Sequence, residues 1–119
     1  MDERAKQLQQ RTKQFALRII RLVRALPNTP EGWVLGKQIL RSGTAIGANY
    51  RAACCSRSRT EFVARIGIVV EEADETVYWL ELLAEAGTVK PRLLEGLIKE
   101  CSEFSRIFAA SRRTAKEKH

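Results

Sequence analysis

The chain has 119 residues, 45% hydrophobic and 29% charged, which suits one globular domain with one core and argues against wholesale disorder. No apolar stretch reaches signal-peptide or membrane-spanning length, so no membrane partner is expected and the cytoplasm is the expected location. The net charge of +7 points to an anionic partner, unless it only keeps the protein soluble.

The first segment, about residues 4–25, contains neither Gly nor Pro. Leu8, Thr12, Phe15, Ile19, Leu22 and Leu26 alternate steps of four and three, one stripe of an α-helix. Arg4, Arg11 and Arg18 recur every seven residues along one edge, Arg21 extends it, and Lys6, Lys13 and Arg24 form a second basic line. Pro27 ends the helix, because it lacks the backbone donor and disfavours helical geometry in its predecessor. Thr29 then reads as an N-cap with Pro30 at the first helical position.

A second helix is expected over about 30–55. Gly36, Gly43 and Gly47 lie inside it among Ser42, Thr44, Ala45 and Ala48, small residues that let a neighbouring backbone come close. The alternative is a break at Gly43 into two shorter helices. Ser58 with Glu61 forms a capping-box pattern opening a third helix, about 59–86, and Gly87 is its expected stop. Its core stripe is Phe62, Ile66, Val69, Val70, Ala73, Val77, Leu80 and Ala84. Ile68, Tyr78, Trp79 and Leu82 lie on the other side, beside Glu71 and Glu75. A helix with apolar residues on two sides needs two burial partners, and in so short a chain the second is expected to be another subunit. Pro91 starts a fourth helix, about 91–112, striped by Leu94, Leu97, Cys101, Phe104 and Phe108; a basic, frayed tail over 113–119 is expected after it. The whole reads as an all-α, up-down-up-down four-helix bundle in a single domain over residues 1–119.

Charge is unevenly distributed along these elements. Residues 1–25 carry +5, 26–58 carry +3, 59–87 carry −5 and 88–119 carry +4. One acidic segment thus lies between basic ones. Arg4, Arg11, Lys13, Arg18, Arg21, Arg24, Arg112 and Arg113 are the candidate phosphate-binding residues, with Lys116 and Lys118 as further tail cations. Ile68, Glu71, Glu75, Tyr78, Trp79 and Leu82 are the candidate subunit interface. Glu72 sits at the edge of the core stripe and needs a cation; Arg41, Asn49 and Glu72 form a candidate polar network that fixes helix register.

Catalysis is not expected. The one His is His119, the last residue, so a His-based triad or metal site is not expected. Cys54, Cys55 and Cys101 are odd in number and lack zinc spacing; they are expected to be buried, reduced thiols. The glycines of the second helix lack the Gly-Lys-Ser/Thr ending of a phosphate loop. The cluster Glu71, Glu72, Asp74 and Glu75 lacks the Glu-x-x-His partners of a two-metal bundle. No cofactor is expected.

The run Gln38-Ile39-Leu40-Arg41-Ser42-Gly43-Thr44-Ala45-Ile46-Gly47-Ala48-Asn49-Tyr50-Arg51 resembles the signature stretch of a bacterial family of small proteins first noticed in intervening sequences of 23S ribosomal RNA genes. The resemblance continues through Ser58-Arg59-Thr60-Glu61-Phe62 and through Glu71 to Leu83. Many members read Asn-Ile-Ala-Glu-Gly where this chain reads Asn49-Tyr50-Arg51-Ala52-Ala53, so any role of that Glu-Gly pair does not carry over. The resemblance implies a four-helix bundle assembled as a barrel-like pentamer. A related branch, the accessory variability determinant of diversity-generating retroelements, binds nucleic acid and a reverse transcriptase. The expected function is accordingly a non-catalytic homo-oligomer offering a basic surface to structured RNA or DNA or to a nucleic-acid enzyme; the alternative is a purely structural or protein-interaction oligomer.

Overall fold

The computed structural model describes residues 2–118. His119, and with it the last position of the expected basic tail, lies outside them. Among the described residues four helices follow one another: α1 (Glu3–Arg24), α2 (Pro30–Cys54), α3 (Arg59–Glu85) and α4 (Pro91–Glu117). They form a rod of 50 × 21 × 20 Å.

The local sequence explains the ends. Asp2 caps α1 by accepting the Ala5 amide at 2.7 Å, and Thr29 caps α2 by accepting the Gly32 amide at 3.1 Å. Ser58 accepts the Glu61 amide at 3.1 Å, while the Glu61 carboxylate reaches back to the Arg57 amide at 2.7 Å, one residue beyond the usual capping-box partner. At the end of α3, Gly87 takes φ +73°, the left-handed region that a side chain disfavours. Its amide then bonds to the Ala84 carbonyl and the Thr88 amide to the Leu83 carbonyl, both at 3.3 Å, the paired pattern of a Schellman stop. The second helix passes through Gly43 without a break. The fourth continues to Glu117 rather than ending near 112.

Each helix packs against its neighbours in sequence, and α1 returns to α4 along the seam with the fewest close backbone approaches. The core is filled by Phe15, Ile19, Ile39, Ile46, Ile66, Leu80, Leu83, Leu94, Phe104 and Phe108. Phe15 meets Phe104 edge-on at 5.5 Å between ring centroids, which closes α1 onto α4. The α1–α2 seam is tight for a different reason. A Cβ on Gly43 would stand 2.9 Å from Ile19 Cγ1, and one on Gly47 would stand 3.0 Å from Thr12 Oγ1. Between α2 and α3, the buried hydroxyls of Ser42 and Thr76 lie 2.8 Å apart, and Thr76 Oγ1 is 2.7 Å from the Glu72 carbonyl oxygen. Among the described residues, no helix is long and apolar enough to cross a membrane.

Candidate nucleic-acid interface

The basic residues of α1 do not form one belt. Arg11 turns onto α4, where its Nη2 and Nε donate to the Glu100 carboxylate at 2.7 and 3.2 Å, with Glu103 at 3.3 Å. Its guanidinium stands 5.2 Å from the Phe104 ring centroid, a cation–π contact. The hydrogen bond to Glu100 holds its pKa above the ordinary arginine value, against the opposing effect of burial. Arg11 is therefore committed to closing the bundle, contrary to the expectation that it faces a ligand.

The other candidates are exposed, and none has a carboxylate within salt-bridge distance among the described residues. Arg18 and Arg21 flank a shallow depression of about 310 Å³ on the α1–α4 side, with Leu93 and Leu97 opposite; the Arg18 guanidinium lies over Gly96. Arg4 stands at the base of the rod beside a wider depression of about 700 Å³ that also takes in Arg59 and Lys118. Arg24 is on the last turn of α1. Arg112 lies across Gly67 of α3, and Arg113 is exposed on the last turns of α4. Lys13 belongs to another surface, the outer groove of the α1–α2 seam, together with Lys6 and Arg51. Lys37 lines the upper part of the same seam beside Trp33 and Leu40. Sequence reasoning singled out neither Lys37 nor Arg51, although their separation of fourteen residues, about four helical turns, sets them on one side of α2.

The outer side of α3 is mixed. Ile68 is 43% exposed and Tyr78 is 54% exposed, and Glu71, also exposed, lies between them. Leu82 is half-buried. Trp79 is half-buried against the core, its Nε1 donating to Glu75 at 3.2 Å, with Tyr78 edge-on at 5.1 Å. Glu75 is also engaged by Arg41, so its charge is answered within the chain.

Arg41 and Glu72 pair as the sequence suggests, at 3.1 Å, joining α2 to α3. Asn49 does not join them. Its amide donates to the Ala45 carbonyl of its own helix at 2.9 Å, which satisfies it locally. The cysteines also differ from expectation. Cys101 is buried with its thiol 3.3 Å from the Ala73 carbonyl oxygen, and burial first, then Asp74 and Glu100, push its pKa up to about 12. Cys54 is only half-buried, on the last turn of α2, and Cys55, the C-cap residue that follows, is exposed.

At the base of the rod, Tyr50, Cys54 and Ser58 line an open depression of about 450 Å³ with Asp2 and Arg4. Tyr50 holds its proton well above the usual phenol range, chiefly because it is buried and next because of Cys54. That leaves the phenol a hydrogen-bonding group and a poor base or nucleophile at neutral pH.

The sequence matches the family model described as 23S rRNA-intervening sequence protein over residues 4–110. Among solved structures, the chain is similar to a protein of unknown function from the S23 ribosomal protein family of Bacteroides thetaiotaomicron VPI-5482. The two share 35% identity with a TM-score of 0.85, over 92% of this chain and 97% of that one. No curated protein matches it. With the model match running from the first turn of α1 almost to the last turns of α4, the chain belongs to the 23S rRNA-intervening sequence protein family.

Proposed function

We propose that this protein is a non-catalytic, cytoplasmic, self-associating bundle that offers a basic surface to structured nucleic acid. The observation that carries this reading is the distribution of unpaired charge. Arg11 is paired with Glu100 and Glu103 of α4, yet Arg4, Arg18 and Arg21 on the same helix are exposed with no carboxylate in reach among the described residues. Guanidinium groups of this kind bind phosphate by charge and paired donors, with affinity but little sequence preference. Repetition around an oligomer, with the pentamer implied by the family resemblance as its expected form, multiplies such contacts. A nucleic-acid enzyme such as a reverse transcriptase is the protein partner that would share this surface.

The test is binding of the purified protein to a labelled structured RNA and to a DNA duplex at low and physiological salt. Tight binding at low salt that weakens steeply as salt rises, and is lost in Arg18→Glu/Arg21→Glu, is the expected result. No binding at low salt refutes it. Arg11→Glu is the wrong probe, since removing the partner of Glu100 also opens the α1–α4 seam.

A purely protein-interaction role is the second reading. Its support is the exposure of Ile68 and Tyr78 on one side of α3, tyrosine being a residue enriched at contact surfaces.

A further inference from the structure

Two surfaces of the rod are each apolar and charged, with opposite signs. On α2, the residues Trp33, Lys37, Leu40, Thr44, Ala48 and Arg51 follow steps of four and three and line the outer groove of the α1–α2 seam. Trp33 is 62% exposed and Leu40 39% exposed. Lys6 and Lys13 join from α1, and among the described residues no carboxylate lines either part of the groove. On α3, the residues Ile68, Glu71, Glu75, Tyr78, Leu82 and Glu85 follow the complementary steps of three and four. Glu71 and Glu85 are exposed and make no ion pair among the described residues.

The spacing of the charges also agrees. Lys37 and Arg51 are fourteen residues apart on α2, and Glu71 and Glu85 are fourteen apart on α3, so each pair spans about 21 Å at 1.5 Å per residue. Apolar residues lie between the charges on both surfaces: Leu40 and Ala48 on one, Tyr78 and Leu82 on the other.

We propose that the outer stripe of α3 from one copy of this chain docks in the α1–α2 groove of a second copy, with Glu71 and Glu85 meeting the groove cations while Tyr78 and Ile68 cover its apolar floor. The inference rests on the self-association part of the function proposed above and adds which surfaces meet. An interface of α3 with α3 is disfavoured, because it sets Glu71 and Glu85 against their own copies with no free cation on the stripe to answer them. The pairing is therefore heterologous: each copy uses both surfaces, and the chain of contacts closes into a ring where the rotation between copies allows it and otherwise runs on as a filament.

The experiment measures mass in nucleic-acid-free buffer by light scattering and sedimentation. The wild-type protein is expected to be an oligomer. A stripe variant, Tyr78→Glu, and a groove variant, Lys37→Glu/Arg51→Glu, are each expected to be monomers with unchanged helix content by circular dichroism. Mixed in equal amounts, they are expected to form a dimer and nothing larger, since the mixture holds one intact stripe and one intact groove. Glu71→Lys is a second stripe variant that leaves the apolar contacts in place, and it should behave as Tyr78→Glu does. A monomeric wild-type protein overturns both self-association and this pairing. An oligomeric wild type whose variants keep native mass, or whose mixed variants stay monomeric, overturns the pairing alone. So does a groove variant that keeps its mass but loses RNA binding, which makes the groove a phosphate site. The nucleic-acid reading is decided separately by Arg18→Glu/Arg21→Glu, which touches neither surface.

Discussion

The glycines of this bundle give a pair of substitutions that are chemically identical and opposite in sign. Replacing an interior helical Gly by Ala stabilises the helix by up to about 1 kcal/mol. At Gly43 that gain meets Ile19, whose Cγ1, Cγ2 and Cβ would lie 2.9, 3.0 and 3.4 Å from the new methyl group. Ile19 is fully buried, and a β-branched side chain in a helix has essentially one rotamer, so it cannot swing aside. The helices must part instead, and overpacking of this kind costs roughly 1–3 kcal/mol. Gly43→Ala is therefore expected to lower stability by about 1 kcal/mol net. At Gly96 the one atom within 4 Å of a new Cβ is Arg18 Nη2 at 3.1 Å, the far end of an exposed, flexible side chain. Gly96→Ala is expected to raise stability by roughly 0.5–1 kcal/mol. Urea unfolding followed by circular dichroism measures both, with unchanged m-values as the check that only the midpoint has moved. A Gly43→Ala protein as stable as the wild type, or a Gly96→Ala protein that is less stable, refutes the reasoning.

The hydroxyl pair between α2 and α3 should show strong coupling. Thr76→Val leaves the buried Ser42 hydroxyl without its partner and is expected to cost about 1–3 kcal/mol, and adding Ser42→Ala should recover part of that loss; unfolding free energies of the two singles and the double measure it, and simple additivity counts against the pair. Arg41→Ala breaks the contacts to Glu72 and Glu75, but the arginine side chain is 49% exposed, so a loss below about 1 kcal/mol, shrinking further in high salt, is expected in the same assay. Alkylation of the native protein should modify Cys55 quickly and Cys101 only after unfolding. The raised pKa of Cys101 also fixes a sign: its contribution to stability is complete below its ordinary value of 9.0 and is lost as pH rises from there toward about 12. Stability measured on either side of pH 9 should fall more steeply in the wild type than in Cys101→Ala.

Most of the fold is legible in short stretches of sequence because its determinants are local. Thr29-Pro30, the Ser58–Glu61 pair, Gly87 and Pro91 each act within a few residues of a helix end, and the three–four alternation of Phe15 and Ile19 or of Phe104 and Phe108 needs only its own helix. The end of α4 is less legible. After Ser111 no large apolar residue marks the period, yet Ala, Arg, Lys and Glu are good helix formers and carry the helix to Glu117. The fate of the cations is not local at all. Arg4, Arg11 and Arg18 share one sequence period, but only Arg11 meets Glu100, which lies 89 residues away and reaches it through the rotation of α4. Lys37 and Arg51 are inconspicuous in sequence because the surface they share with Lys13 exists only once α1 lies along α2.

That surface connects the glycines to assembly. Gly36, Gly43 and Gly47 let α1 lie so close to α2 that the seam is filled by Val23, Ile19 and Thr12, leaving a shallow floor with cations along it. On the other side of α1, the seam with α4 has fewer close backbone approaches and is closed by Phe15, Phe104 and Arg11. A methyl group on Gly43 pushes the first seam apart and so changes the groove that the stripe of a second copy is proposed to fill. The same methyl group on Gly96 lies under Arg18 and leaves the groove alone. Gly43→Ala should therefore weaken self-association at concentrations where the monomer is still folded, while Gly96→Ala should leave the mass unchanged. If both variants assemble as the wild type does, the groove is not where the copies meet.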